Sequence, residues 1–172
     1  MSYRPGGHNH RWRWDILRKI TTDSKRCTGC GACEMACSFY HTDEFSRDLS
    51  RIRVIKDELA GHDYPILCRQ CQTPACVQAC PTAALSRMES GTILLDVSLC
   101  TGCQLCSSVC PHGAAPMDVI RGVPLICDLC DGEPACVERC ATEALKYEDP
   151  RKADSRGRLD IARKIWNGGN GT

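Results

Sequence analysis

Sixteen cysteines in a chain of 172 residues, gathered into four groups of four, constrain this sequence more than any other feature. The groups are Cys27, Cys30, Cys33 and Cys37; Cys68, Cys71, Cys76 and Cys80; Cys100, Cys103, Cys106 and Cys110; and Cys127, Cys130, Cys136 and Cys140. The first and third share the spacing C-x2-C-x2-C-x3-C, the second reads C-x2-C-x4-C-x3-C and the fourth C-x2-C-x5-C-x3-C. Pro81 and Pro111 follow the second and third groups. The rest of the chain is thin in apolar residues, because the 42 % hydrophobic fraction counts the cysteines and only 5 % of residues are aromatic. A core of Leu, Ile and Phe therefore cannot be the main source of order, and something held by the cysteines must supply much of it.

Three chemistries use cysteine in quantity. A disulfide framework suits an even count in a small chain. Here, though, many cysteines lie three apart, and the bridges would all have to avoid these close neighbours. Arg4, Arg11 and Arg13 near the start precede no apolar h-region, so a secretory leader is not expected either. Zinc sites use two Cys-x2-Cys pairs set well apart, whereas each group here holds four cysteines. The spacing is instead that of the bacterial ferredoxin run, which binds iron–sulfur clusters. Three thiols spaced by two residues let one short loop wrap three corners of a cube. A cysteine three residues further on leaves on a helical turn and reaches a neighbouring cube, and a following Pro stops that helix. Four groups of four ligands give four 4Fe–4S clusters, with no position lost that would point to a three-iron cluster.

The groups also repeat. CTGCGACEMAC (27–37) matches CTGCQLCSSVC (100–110) at 6 of 11 positions, and PACVQACPTAAL (74–85) matches PACVERCATEAL (134–145) at 8 of 12. The chain reads as a duplicated two-motif unit. Short strands are predicted at Lys19–Asp23, Arg51–Lys56, Ala84–Met88, Thr92–Asp96 and Ala144–Tyr147. Helical turns are predicted around Ala32–Tyr40, Ala75–Ala79, Gln104–Val109 and Ala135–Arg139. The expected fold class is α+β, two ferredoxin-like βαβ units in one body. Neighbouring motifs could pair, or the pairing could be nested; the repeat does not decide it.

Over roughly 19–147 the motifs, CRQCQTPACVQACPTAAL and CTGCQLCSSVCPHGA above all, resemble the four-cluster electron-transfer subunits of molybdenum and tungsten oxidoreductases, the family that serves DMSO reductase, formate dehydrogenase, formate hydrogenlyase and nitrate reductase. The resemblance implies nested pairing. An outer domain (19–66 plus 119–148) would hold one cluster on Cys27, Cys30, Cys33 and Cys140 and another on Cys127, Cys130, Cys136 and Cys37. An inner domain (67–118) would hold one on Cys68, Cys71, Cys76 and Cys110 and another on Cys100, Cys103, Cys106 and Cys80. Ser38 and Ala141 stand where the pattern has Pro, which is expected to alter the helix exit. His112 stands where relatives often carry an aromatic residue, and is read as a surface or packing histidine in preference to a proton-coupled role.

Net charge is +1, so nothing in it argues for nucleic acid. Four oxidised clusters with their thiolates would bring the loaded chain to about −7, partly offset by Lys25, Arg26, Arg69, Arg121 and Arg139 near the motifs. No apolar run reaches the length of a membrane span, no phosphate loop is present, and no paired carboxylates suggest acid–base work. The expected role is therefore a single-electron relay, not an enzyme, in a cytoplasmic complex; export with a partner that carries a signal would remain compatible. The expected partner is a tungsten- or molybdenum-pterin catalytic subunit, an aldehyde oxidoreductase ahead of a soluble formate dehydrogenase, hydrogenase or DMSO-reductase-type enzyme, with a flavin/NAD subunit as a further acceptor. Arms at 1–18 and 149–172, with Trp12, Trp14 and Trp166 among basic residues, read as docking segments that could also link copies into a chain. An iron–sulfur sensor would need an effector domain for which there is no room, and a mainly structural assembly subunit is the remaining alternative.

Overall fold

The computed structural model describes residues 18–149. The Trp12, Trp14 and Trp166 arms lie outside them, apart from the residues where each expected arm meets the domain. Eight short strands form four separate two-stranded antiparallel ladders. Strand β1 (Lys19–Thr22) pairs with β8 (Leu145–Glu148), so the two ends of the described chain meet. The other ladders are hairpins: β2 (Ile52–Asp57) with β3 (His62–Leu67), β4 (Leu85–Arg87) with β5 (Ile93–Leu95), and β6 (Met117–Asp118) with β7 (Val123–Pro124). Four helices, α1 (Ala32–Thr42), α2 (Ala75–Gln78), α3 (Leu105–Ser108) and α4 (Ala135–Glu138), each begin inside a cysteine group. The mixture of small helices and antiparallel ladders is α+β.

All the strands and helical turns expected from the sequence are present within a few residues. Strand β3 is not among the expected strands, and it carries Pro65, which lacks an N–H. A two-stranded ladder leaves one side of each strand unpaired, and a Pro opposite Val54 is tolerated there. Strands β6 and β7 have two residues each, too few to carry an alternation.

The expectation about the missing prolines holds at one site and fails at the other. Past Cys37 the helix α1 runs on through Ser38 to Thr42, 11 residues against four in each of the other helices. Ser38 is fully buried there; its Oγ donates to the Met35 carbonyl and accepts the Ser46 N–H, tying the following loop back onto the helix. After Cys140, by contrast, α4 stops at Glu138 although Ala141 is no barrier to a helix. The stop is set downstream: Ala83, Gly113 and Glu143 each lie three residues past a fourth cysteine, and all have positive φ, 53°, 58° and 52°. The chain turns there whether or not a proline precedes.

Apolar side chains form two small cores. Ile20, Ile52, Val54, Leu67, Leu129 and Leu145 pack with Cys33, Cys37, Cys127 and Cys136. Leu85, Ile93, Ala115 and Ile126 pack with Cys106. Cys68 touches both. With so few aliphatic residues in each, burial contributes only about 2 kcal/mol per large side chain, and the cysteines are part of the interior that must be filled.

Candidate iron–sulfur sites

The first Cys-x2-Cys turn of each group bends at the residue before its second cysteine. Gly29, Gln70, Gly102 and Leu129 have φ of 63°, 48°, 69° and 64°. A left-handed residue in a tight turn aims successive backbone N–H groups at a common concavity, a nest suited to an anionic iron–sulfur core. Glycine adopts this conformation without steric cost. Space bears on two of the glycines as well, strictly at Gly102, where the neighbour is backbone, and more loosely at Gly29, where it is a side chain that can move. A Cβ on Gly102 would lie 2.6 Å from the Gly122 carbonyl oxygen, and one on Gly29 would lie 2.5 Å from a carboxylate oxygen of Asp63.

Thiols of different groups lie close enough to influence one another. Cys33 feels Cys30 and Cys27, and Cys27 and Cys140 pack against the same core as Cys33. Cys136 feels Cys37 and Cys130 most strongly, and Cys127 feels Cys136, Cys68 and Cys37. Cys68 and Cys76 both feel Cys71 and Cys110. Cys80 lines one small cavity with Cys100, Cys103 and Cys106, floored by Leu85, Leu95 and Pro124. Backbone N–H groups already point at sulfurs: Arg51 donates to Cys37 Sγ at 3.3 Å and Ala114 to Cys110 Sγ at 3.4 Å.

The state of the thiols tests whether the residues suit such a cluster. Burial, then the neighbouring Glu34 carboxylate, pushes Cys33 up to about 12. Burial pushes Cys68 and Cys130 up to about 11 each, and raises Cys127 and Cys136 strongly, with the nearby thiols adding to it. Cys80 moves the other way: burial raises it, but hydrogen bonds from the Leu85 backbone, the Thr82 hydroxyl and backbone and the Ala84 backbone together outweigh that. Thiols crowded and desolvated like this are poor thiolates on their own, and a soft, positively charged metal centre removes the conflict. None of the sixteen is in a disulfide. The donor set fits iron–sulfur clusters.

Several polar residues around the sulfurs were not legible beforehand. His41, on the last turn of α1, sets Nε2 3.8 Å from Cys130 Sγ and 3.6 Å from Asp128 Oδ1. Burial, then the charge of Arg51, holds its imidazole down to about 4 against the pull of Asp128. Asp128 is itself held low: the charges of Arg51 and His41 outweigh its burial. Nothing in the sequence marks His41; aligning CRQC with CTGC would have flagged Gln70 at a glycine position. His112 is exposed, and lines an open groove with Thr22, Ser24, Tyr64 and Arg69. Of the basic residues expected to offset cluster charge, Arg26 donates to the Thr142 carbonyl and pairs with Glu143, Arg69 donates to Thr22 Oγ1, and Arg121 pairs with Asp118. Among the described residues no helix is long and apolar enough to cross a membrane.

Small α+β units built around gathered sets of soft thiol donors define an iron–sulfur protein of the ferredoxin class. Two family models, both described as a 4Fe–4S dicluster domain, match residues 61–150 and residues 26–85. The chain belongs to the 4Fe–4S dicluster family. It is 39 % identical over 152 residues to the protein YsaA of Escherichia coli (strain K12), covering 78 % of this chain and 92 % of that one. It is 38 % identical over 160 residues to the polyferredoxin-like subunit of the aliphatic sulfonate oxidoreductase of Pyrococcus furiosus, covering 86 % and 91 %. To the B subunit of the anaerobic dimethyl sulfoxide reductase of Escherichia coli (strain K12) it is 34 % identical over 147 residues, covering 73 % and 70 %.

Proposed function

We propose that the chain is a non-catalytic electron-relay subunit of a cytoplasmic oxidoreductase complex, holding four 4Fe–4S clusters in two nested ferredoxin-like βαβ domains. The outer one (19–66 plus 119–148) carries a cluster on Cys27, Cys30, Cys33 and Cys140 and another on Cys127, Cys130, Cys136 and Cys37. The inner one (67–118) carries a cluster on Cys68, Cys71, Cys76 and Cys110 and another on Cys100, Cys103, Cys106 and Cys80. The observation that carries this reading is the gathering of fourth cysteines with foreign groups: Cys37 beside Cys130 and Cys136, Cys110 beside Cys68 and Cys76, and Cys80 in the cavity of Cys100, Cys103 and Cys106. When bound, the clusters supply reversible one-electron chemistry.

The chain's own part is to hold four sets of thiolates close together and to give them backbone N–H donors. No set has a spare position at which a substrate would bind, so relay is favoured over catalysis. The relatives named as subunits of a sulfonate oxidoreductase and a dimethyl sulfoxide reductase support a catalytic partner of the molybdenum- or tungsten-pterin kind. An aldehyde oxidoreductase, with a flavin/NAD subunit as further acceptor, is the partner proposed, and the arms at 1–18 and 149–172 dock it or join copies of the chain.

Anaerobic co-purification tests this reading. The expected result is a catalytic subunit containing tungsten or molybdenum, about sixteen irons per relay chain, and magnetically interacting clusters that the partner's substrate reduces. Far fewer irons, or clusters the partner cannot reduce, would sink it.

A further inference from the structure

In the first Cys-x2-Cys turn of each of the four groups, the left-handed position is Gly29, Gln70, Gly102 or Leu129. A side chain there costs on the order of 1 kcal/mol in backbone strain that glycine would avoid. Leu129 is buried in the outer apolar core, and packing accounts for it. Gln70 is only 1 % exposed, yet its side chain is polar.

Its contacts show what the amide does. Nε2 donates to the carbonyl of Cys127 at 2.6 Å, and Oε1 accepts the N–H of Ile93 at 2.7 Å. The Gln70 carbonyl accepts from Lys19 Nζ at 2.5 Å. One residue thus joins the turn that carries Cys68 and Cys71 to the turn that carries Cys127 and Cys130, to strand β5 and to strand β1. The two turns supply different ligand sets, and their thiols meet: Cys68 is among the charges that Cys127 feels, and Cys68 packs against the core that holds Cys127. Both amide hydrogen bonds are buried, short and directed at backbone. They resist sliding of one turn past the other in a way that an apolar contact would not.

We propose that Gln70 is a positioning residue that sets the gap between the centre on Cys68, Cys71, Cys76 and Cys110 and the centre on Cys127, Cys130, Cys136 and Cys37, with the Cys68–Cys127 edge as the crossing between the two halves. The inference rests on the four-cluster reading above. In the crossing one electron is lost on one side and gained on the other, with no other reactant.

The test uses the full chain, purified anaerobically with its clusters, in two variants. Gln70→Gly keeps the left-handed turn and removes the amide; Gln70→Met keeps side-chain length without hydrogen bonds. The readouts are iron content, the spin–spin interaction between reduced clusters by EPR, and the rate of electron redistribution after partial photoreduction. At full iron content, both variants are expected to weaken one pairwise interaction and to slow redistribution between halves several-fold, leaving the interactions within each half unchanged. Wild-type coupling and rates at full iron content would overturn the proposal. So would loss of iron from both variants, since the amide would then hold the ligand sets themselves and not the gap between them. If only Gln70→Gly loses iron, Gln70→Met decides by the same criteria. Failure of the relay reading is distinguishable, because it would appear in the wild-type chain as fewer than four reducible clusters.

Discussion

Ile20 and Tyr147 stand opposite one another in the ladder that joins the first described strand to the last. Arg18 caps the pair, with its guanidinium 4.2 Å from the Tyr147 ring centre and one N–H on the Tyr147 carbonyl. The contact extends one residue further, where the Asp23 N–H donates to the Ala144 carbonyl. Cys27 and Cys140 lie just inside this closure, so the ladder holds together two cysteines more than a hundred residues apart. Ile20→Ala removes a side chain that is only 4 % exposed, and should cost about 3 kcal/mol. Iron is expected to leave the proposed set of Cys27, Cys30, Cys33 and Cys140 first. Thermal melting with iron analysis checks this, with the exposed Val97→Ala as a variant that should change neither. Equal loss from all four sets would contradict the closure argument.

The fourth cysteine of each group gives a sharper test of pairing. Cys37 lies beside Cys130 and Cys136 and accepts the Arg51 N–H. Cys37→Ser should therefore alter the EPR signal of the centre on Cys127, Cys130 and Cys136, and iron should fall by about a quarter at most. A change in the centre on Cys68, Cys71 and Cys76 instead would show that the groups pair as neighbours.

How much of this could be read from the residues depends on the range of the interaction. Strands β1, β4, β5 and β8 and the four helices follow from local pattern around each group, and they were anticipated within a few residues. Strand β3 is not among them; it carries Pro65, and tolerance of a missing N–H depends on which side of the strand has a neighbour. The end of α4 matches its local pattern within one residue; what the pattern does not show is that Ala141 leaves this exit unchanged, with the turn coming at the positive-φ Glu143. Among candidate site residues, the sixteen cysteines are marked by their spacing. Glu34, Gln70, His41 and Asp128 act through contacts with residues 13 to 89 positions away, and no local pattern encodes those.

The positive-φ positions predict a pair of opposite effects. Ala83 is exposed and sits at φ 53°. Ala83→Gly relieves that strain but adds freedom to the unfolded chain, for a net gain of about 0.5 kcal/mol. Gly102 is the reverse case: φ is 69° and a Cβ would strike the backbone carbonyl of Gly122, which cannot rotate aside as a side chain would. Gly102→Ala should cost at least about 2 kcal/mol and deplete iron from the set on Cys100, Cys103 and Cys106. Denaturant unfolding of the loaded protein reads both signs, and a stabilising Gly102→Ala would refute the argument.

Glu34 joins stability to redox behaviour. Its carboxylate is fully buried beside Cys33; Oε1 accepts the Val54 N–H at 3.0 Å and Oε2 pairs with Arg47 Nε at 3.0 Å. The Arg47 side chain is 58 % exposed, so it can regain water when the carboxylate is removed, whereas the Val54 N–H cannot. Glu34→Ala should therefore cost about 2 to 4 kcal/mol, chiefly by leaving a buried donor unpaired. Glu34→Gln keeps an acceptor for Val54 and should cost less. The amide also removes a negative charge that already acts on the Cys33 thiol. Less negative surroundings favour the reduced, more negative cluster, so the midpoint of the centre on Cys27, Cys30 and Cys33 should rise by tens of millivolts in Glu34→Gln. EPR-monitored potentiometry measures this directly. A midpoint that stays put or falls, with iron content intact, would mean that the Glu34 charge is fully offset by Arg47 at the cluster.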